Sequence, residues 1–158
     1  MSLLNNLKQL CIKKGVSVAV AESCTSGLIA SKLTTLSGSS SYFKGGIVAY
    51  QNKIKTKILA VNQSVIDEKT EVSNEVVKQM AESVLEKFDS DFAISTSGYA
   101  GPNGGTNKNP IGTVFIAIAC KSAVVVSSFI FSGNRQSVVN QSSERALELL
   151  YIEIKKQQ

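Results

Sequence analysis

Residues 16–27 read VSVAVAESCTSG. The first six are apolar and rich in β-branched valine, the pattern of a strand buried on both faces. Glu22 to Ser26 is a polar turn, and Gly27 to Leu36 (GLIASKLTTL) then places Leu28, Ile29, Leu33 and Leu36 at helical spacing. A buried strand running through a polar turn into a helix is the unit of an α/β sheet. Free N–H groups at the helix start, with the helix dipole behind them, favour an anion outside the strand end. The hydroxyls of Ser23, Thr25 and Ser26 read either as helix caps or as groups of a site. A cap needs only one of them, and this turn adds the Cys24 thiol and the Glu22 carboxylate.

Working outward, Leu3, Leu4, Leu7, Leu10 and Cys11 mark a first amphipathic helix, with Gly15 as its stop. Ser37 to Ser41 reads as a loop and Gly45 to Tyr50 (GGIVAY) as a second strand. Asn52 to Ala60 reads as a short basic helix with Asn52 at its cap. Ser73 caps a longer helix carrying Val76, Val77, Met80, Val84 and Leu85 on one face. Phe92 to Ser97 is a third strand. Thr113 to Ala119 and Val124 to Phe131 flank the turn Lys121-Ser122 as a hairpin, and a last helix runs from about Gln136 to Ile154. The expectation is a single domain over residues 1–158: a three-layer α/β/α sandwich around a mixed sheet.

Two further turns follow strands, where open sheets bind ligands. In Tyr50-Gln51-Asn52-Lys53-Ile54-Lys55, the two lysines are two residues apart on a helix, so at most one faces a site. Both also read as ordinary surface lysines. The segment Gly98–Gly112 holds five of the chain's eleven glycines and both prolines. It reads as a long hairpin loop or as a loop that wraps a ligand, since glycine allows close backbone approach. It lacks GxxxxGK[ST], and no GxGxxG opens a helix, which argues against a P-loop or a Rossmann site. Arg135 stands at the start of the last helix, against the dipole, a cost that a bound anion would remove.

The 158 residues contain 17 Lys+Arg and 12 Asp+Glu, a formal charge of +5, and no histidine. Without histidine there is no Ser-His-Asp triad, Cys-His pair or HExxH zinc site. Cys11, Cys24 and Cys120 are scattered and odd in number, which argues against a disulfide framework or structural zinc. No metal is expected. Arg135 and Arg145 are the only arginines and the lysines are scattered, so direct base readout is disfavoured. No apolar run approaches the length of a membrane span. The N-terminus lacks signal-peptide features, so a cytoplasmic protein is expected.

The segments VAESCTSGLIASKL, GGIVAYQNKIKTKIL, VSNEVVKQMAE, TSGYAGPNGGT and PIGTVFIAIA, in that order, resemble the CinA C-terminal domain family, the C-terminal domain of competence/damage-inducible protein A. The resemblance spans about residues 3–152, and the ESCT turn and the AGPNGGT loop are its most specific parts. It implies the three-layer fold and, as in stand-alone members, hydrolysis of nicotinamide mononucleotide to nicotinate mononucleotide and ammonia, in pyridine nucleotide salvage, without a cofactor. In longer relatives the domain follows one resembling molybdopterin-binding proteins, which this chain is expected to lack.

Position by position, the resemblance implies Ser23 as the catalytic serine, Tyr50 and Lys55 as its partners, Thr106 and the glycines Gly101, Gly104 and Gly105 as the loop over the ligand, and Arg135 as the basic residue near the last helix. With no histidine present, Lys55 is the first choice of base, with the N–H groups of Cys24 and Thr25 as an oxyanion hole. Glu22 is assigned to the substrate as well, with direct activation of water as its alternative role. Ser26, Lys53, Tyr99 and Asn134 depart from the common pattern. The expected partner is a small mononucleotide, with no membrane and no nucleic acid, and the chain is expected to form a homo-oligomer, a dimer. A non-catalytic mononucleotide sensor and a nucleic-acid-associated protein are the alternatives.

Overall fold

The computed structural model describes residues 1–158 as five strands and six α-helices. In chain order these are α1 (Leu3–Lys14), β1 (Val18–Glu22), α2 (Leu28–Leu33), β2 (Phe43–Val48), α3 (Asn52–Lys57), α4 (Gln63–Lys69), α5 (Asn74–Lys87), β3 (Phe92–Gly98), β4 (Thr113–Cys120), β5 (Ala123–Ile130) and α6 (Arg135–Lys156). The sheet order is β2-β1-β3-β4-β5. β1 is parallel to β2 and β3, while β3–β4 and β4–β5 are antiparallel. The fold is therefore the expected α/β/α sandwich on a mixed sheet.

The two faces of the sheet differ in side-chain size, and this decides how the helices lie. One face presents Val18, Val20, Ile94, Val114, Ile116 and Ile118, which meet α1, α2 and α6 in one buried cluster. The other presents Ala19, Ala21, Ala93, Ala117 and Ala119, which meet Val76, Val77, Met80 and Val84 of α5. Small residues under α5 let that helix approach the sheet closely. Ser95, fully buried on β3, stays satisfied there because its hydroxyl donates to Val77 O at 2.5 Å.

Caps set the helix limits. Ser73 Oγ accepts from Val76 N at the start of α5, and Gly15 ends α1 at φ 65°. Several features depart from the sequence reading. β2 runs Phe43–Val48 rather than Gly45–Tyr50, so Tyr50 lies beyond the strand end, and α3 ends at Lys57 rather than Ala60. α2 stops at Leu33 rather than Leu36, where the Thr34 and Thr35 hydroxyls turn back onto carbonyls of the last turn. Residues 39–41 form one 3-10 turn. α4 was not expected; the Asn62 side chain starts it by accepting from Ser64 N.

Gly46 lies against β1, and a Cβ built there would sit 2.3 Å from Val20 Cγ2 and 2.5 Å from Val20 O. Gly46→Ala is expected to destabilise the fold by about 1–3 kcal/mol, because the neighbour is largely backbone and cannot yield. Thermal denaturation checks this, and an unchanged Tm would refute it.

Candidate active site

In a sheet ordered β2-β1-β3, the chain leaves β1 to one face and returns to β3 from the other, opening a crevice at the strands' carboxyl ends. A cleft of about 170 Å³ lies there, lined by residues from all three turns and from the start of α6. It brings together Ser23, Cys24, Tyr50, Lys55 and Arg135 of the expected set, and adds Asn52, Glu71, Ser97 and Tyr99.

Ser23 follows the last residue of β1, and its amide donates to Thr96 O at 3.1 Å, so β3 fixes it. The side chain is almost buried yet borders the cleft, and no hydrogen bond to the chain engages its hydroxyl. The next residues make a tight turn closed by Ser26 N to Ser23 O at 3.1 Å, with Ser26 at φ 53° and Gly27 at φ 95°. The N–H groups of Cys24 and Thr25 find no acceptor in the chain. Two unpaired amides beside a hydroxyl form a ready acceptor site for negative charge.

Glu22 belongs to the turn but not to the cleft. It is fully buried, and its two carboxylate oxygens accept from Ile29 N at 2.9 Å and Ala30 N at 3.0 Å. The carboxylate therefore caps α2, whose own N-cap, Gly27, offers no side chain. With both oxygens taken and no solvent access, it has no place as the base that activates water. Glu22→Ala should cost about 2–3 kcal/mol, because two buried amides lose a charged acceptor. Chemical denaturation checks this; a loss under about 0.5 kcal/mol would show that water replaces the carboxylate.

Lys55 is among the largest of the fully buried side chains, although it lies on a helix rich in lysine. Its Nζ donates to Tyr50 O at 3.0 Å and has no ion pair. Burial lowers its pKa from the ordinary lysine value, while the nearby Glu71 carboxylate and Cys24 sulfur act the other way. Lys53, two residues earlier, is exposed, as the helical spacing requires. Asn52 does not cap α3: Gln51 holds that position without a side-chain bond, which leaves Asn52 to line the cleft.

Tyr50 and Arg135 form the rim. Arg135 Nη2 donates to Tyr50 Oη at 2.7 Å and Nη1 donates to Gly101 O at 2.7 Å, tying the second turn, the glycine loop and α6 together. Asn134 caps α6 by accepting from Ser137 N at 2.9 Å, so its side chain does not orient Arg135. The Thr25 hydroxyl shares a buried hydrogen bond with Thr96 at 2.8 Å, which leaves only the Thr25 amide for a ligand. Gly101, Gly104, Gly105 and Thr106 lie outside the cleft lining, Gly101 meeting it only through its carbonyl on Arg135. Thr106 closes its own turn, its N donating to Asn109 O at 2.8 Å and its Oγ1 accepting from Asn109 N at 2.9 Å. Gly104 lies against the Tyr99 ring, which a Cβ there would meet at 3.1 Å.

Cys24 lines the cleft, but burial pushes its thiol pKa up to about 12, so it holds its proton and is no thiolate nucleophile. Glu71 was missed. It stands alone between α4 and α5, outside every motif, and only the packing of that loop against the cleft shows it.

An open α/β sheet with a serine-bearing turn at its switch point, a buried lysine and an arginine rim defines a class of small-molecule site. The chain belongs to the CinA C-terminal domain family, whose model matches residues 1–154. It is 44% identical over 142 residues to a CinA-like protein of Desulfotalea psychrophila, covering 90% of this chain and 34% of that protein. Over 150 residues it is 44% identical to a CinA-like protein of Flavobacterium psychrophilum, covering 95% and 36%. The chain thus spans about a third of the length of these relatives. Among solved structures, the competence damage-inducible protein A of Klebsiella pneumoniae superposes with a TM-score of 0.95 at 29% identity, covering 99% of this chain and 97% of that one. The competence/damage inducible protein CihA of Agrobacterium tumefaciens gives 0.90 at 31%, covering 99% and 98%.

Proposed function

We propose that the cleft hydrolyses the carboxamide of nicotinamide mononucleotide, giving nicotinate mononucleotide and ammonia. The observation that carries this reading is an unengaged serine hydroxyl in one cleft with a buried lysine that is not ion-paired, at the start of a turn whose next two amides have no acceptor in the chain. Neutral Lys55 takes the Ser23 proton as Oγ attacks the carboxamide carbon. The amides of Cys24 and Thr25 receive the oxyanion. Collapse expels ammonia, which carries away the proton held by Lys55, and leaves an ester on Ser23. Water, deprotonated by Lys55, cleaves that ester and restores the serine. The 5′-phosphate exchanges with Gly101 O and Tyr50 Oη for the Arg135 guanidinium, a planar fork suited to phosphate.

On this reading the protein acts in the cytoplasm on a diffusible small molecule in pyridine nucleotide salvage, without a cofactor. No helix is long and apolar enough to cross a membrane. The open edge of β5, where Ile130 is 70% exposed, supports a homodimer in which a second copy extends the sheet. The test is release of ammonia from nicotinamide mononucleotide by the purified protein, with nicotinate mononucleotide identified as the other product. Release of both supports the reading. Stabilisation by the ligand without release would make the protein a mononucleotide sensor.

A further inference from the structure

Two cations and one anion line the cleft: Lys55, Arg135 and Glu71. Glu71 is held in place through its backbone, since Ser97 Oγ donates to Glu71 O at 2.7 Å. Its half-buried carboxylate takes no hydrogen bond and no ion pair. An unpaired carboxylate weakens binding of any purely anionic ligand. It becomes favourable when the ligand carries a positive centre of its own. Tyr99 shares the cleft with it, and an aromatic face attracts a cationic ring. The charges also divide along the cleft. Arg135 stands at the rim with Gly101 O and Tyr50 Oη, whereas Glu71 lies close enough to the buried Lys55 to act on its charge, in the cleft that Ser23 also lines.

We propose that Glu71, with Tyr99, makes the cleft selective for a zwitterionic ligand, an N-substituted pyridinium that carries its anionic phosphate at the far end, over the same nucleotide with a neutral ring. The selection rests on the amidase reading of the site for the ligand's identity. Glu71 is a specificity-determining residue here and takes no part in bond breaking.

The test uses the full chain with Ser23→Ala, so that no turnover intervenes, and titrates it calorimetrically with two probes. One is nicotinamide mononucleotide. The other is its 1,4-dihydro form, which keeps the carboxamide and phosphate but has an uncharged ring. The Ser23→Ala protein is expected to bind the pyridinium form about tenfold tighter, a difference of about 1.4 kcal/mol. Adding Glu71→Gln should remove most of that ratio by weakening the pyridinium form alone, and Glu71→Asp should restore part of it. A merely structural role would weaken both probes together and leave the ratio unchanged, which overturns the proposal. An unchanged ratio in a protein whose Ser23 form still releases ammonia overturns the selectivity alone. Absence of binding by either probe, together with absence of ammonia release, overturns the amidase reading and the proposal with it.

Discussion

Ser23→Ala is expected to lower ammonia release from nicotinamide mononucleotide by about a thousandfold or more while leaving the ligand able to stabilise the protein. Removal of a nucleophile removes the covalent route, and the remaining amides and cations give only the residual acceleration of binding and charge stabilisation. The fold should hardly notice. The hydroxyl makes no hydrogen bond to the chain, and what fixes residue 23 is its amide on Thr96 O. Unfolding free energy should therefore stay within about 0.5 kcal/mol of wild type, the range of a neutral substitution. At a ligand concentration about a hundred times Kd, the variant should still gain about 2.7 kcal/mol. A variant retaining near-wild-type turnover would remove Ser23 as nucleophile.

Lys55→Met is the second large effect, and it has two opposite parts. On the amidase reading, turnover should fall by about a hundredfold or more, because the group assigned to take the Ser23 proton is gone. Stability at neutral pH should rise by about 1 kcal/mol, about 2–4 °C in Tm, because a buried ammonium is replaced by an apolar side chain of similar length. Burial lowers the folded-state pKa of Lys55 below its value in the unfolded chain. Between those two values the folded protein binds fewer protons, so wild-type stability rises with pH across that window. Below the folded pKa the cost of the buried charge is complete, and above the unfolded value it is absent. Lys55→Met should flatten this alkaline rise. On the amidase reading, wild-type activity should increase as pH climbs through the folded pKa, because only neutral Lys55 can accept the serine proton. Denaturation curves across pH, run beside rate profiles, check both parts. A destabilised Lys55→Met would mean that the bond to Tyr50 O outweighs the burial of charge.

Much of this architecture is legible in residue pattern alone. The strand-turn-helix of residues 16–33, the caps at Gly15 and Ser73 and the hairpin about Lys121-Ser122 all follow local rules and stand where those rules put them. So does the rule that only one of Lys53 and Lys55 turns inward. The misreadings share one cause, which is that a side chain's partner is set by contacts remote in sequence. Glu22 reads as a ligand group because it sits in the polar turn, yet its acceptors are amides seven and eight residues on. The Thr25 hydroxyl, though not its amide, is drawn inward by Thr96, 71 residues away. Glu71 carries no local signal, since a lone acidic residue after a short helix is ordinary on any surface. α4 is too short for its two apolar residues, Val65 and Ile66, to establish a period.

The cleft is built of two materials. Its floor, with Ser23, Cys24, Lys55 and Ser97, is buried among residues that hold the sheet together. Its rim is the opposite: Tyr50 is 53% exposed, and Arg135 and much of the glycine segment face solvent. On the amidase reading, most changes in the floor reach the packed sheet as well as the chemistry, Ser23→Ala being the exception because its hydroxyl makes no bond to the chain. A change in the rim alters only which molecule is admitted, with little effect on stability. On the same reading, descendants of such a chain can therefore keep one reaction and exchange one substrate for another. An engineer seeking a new carboxamide would leave the strands alone and randomise the rim.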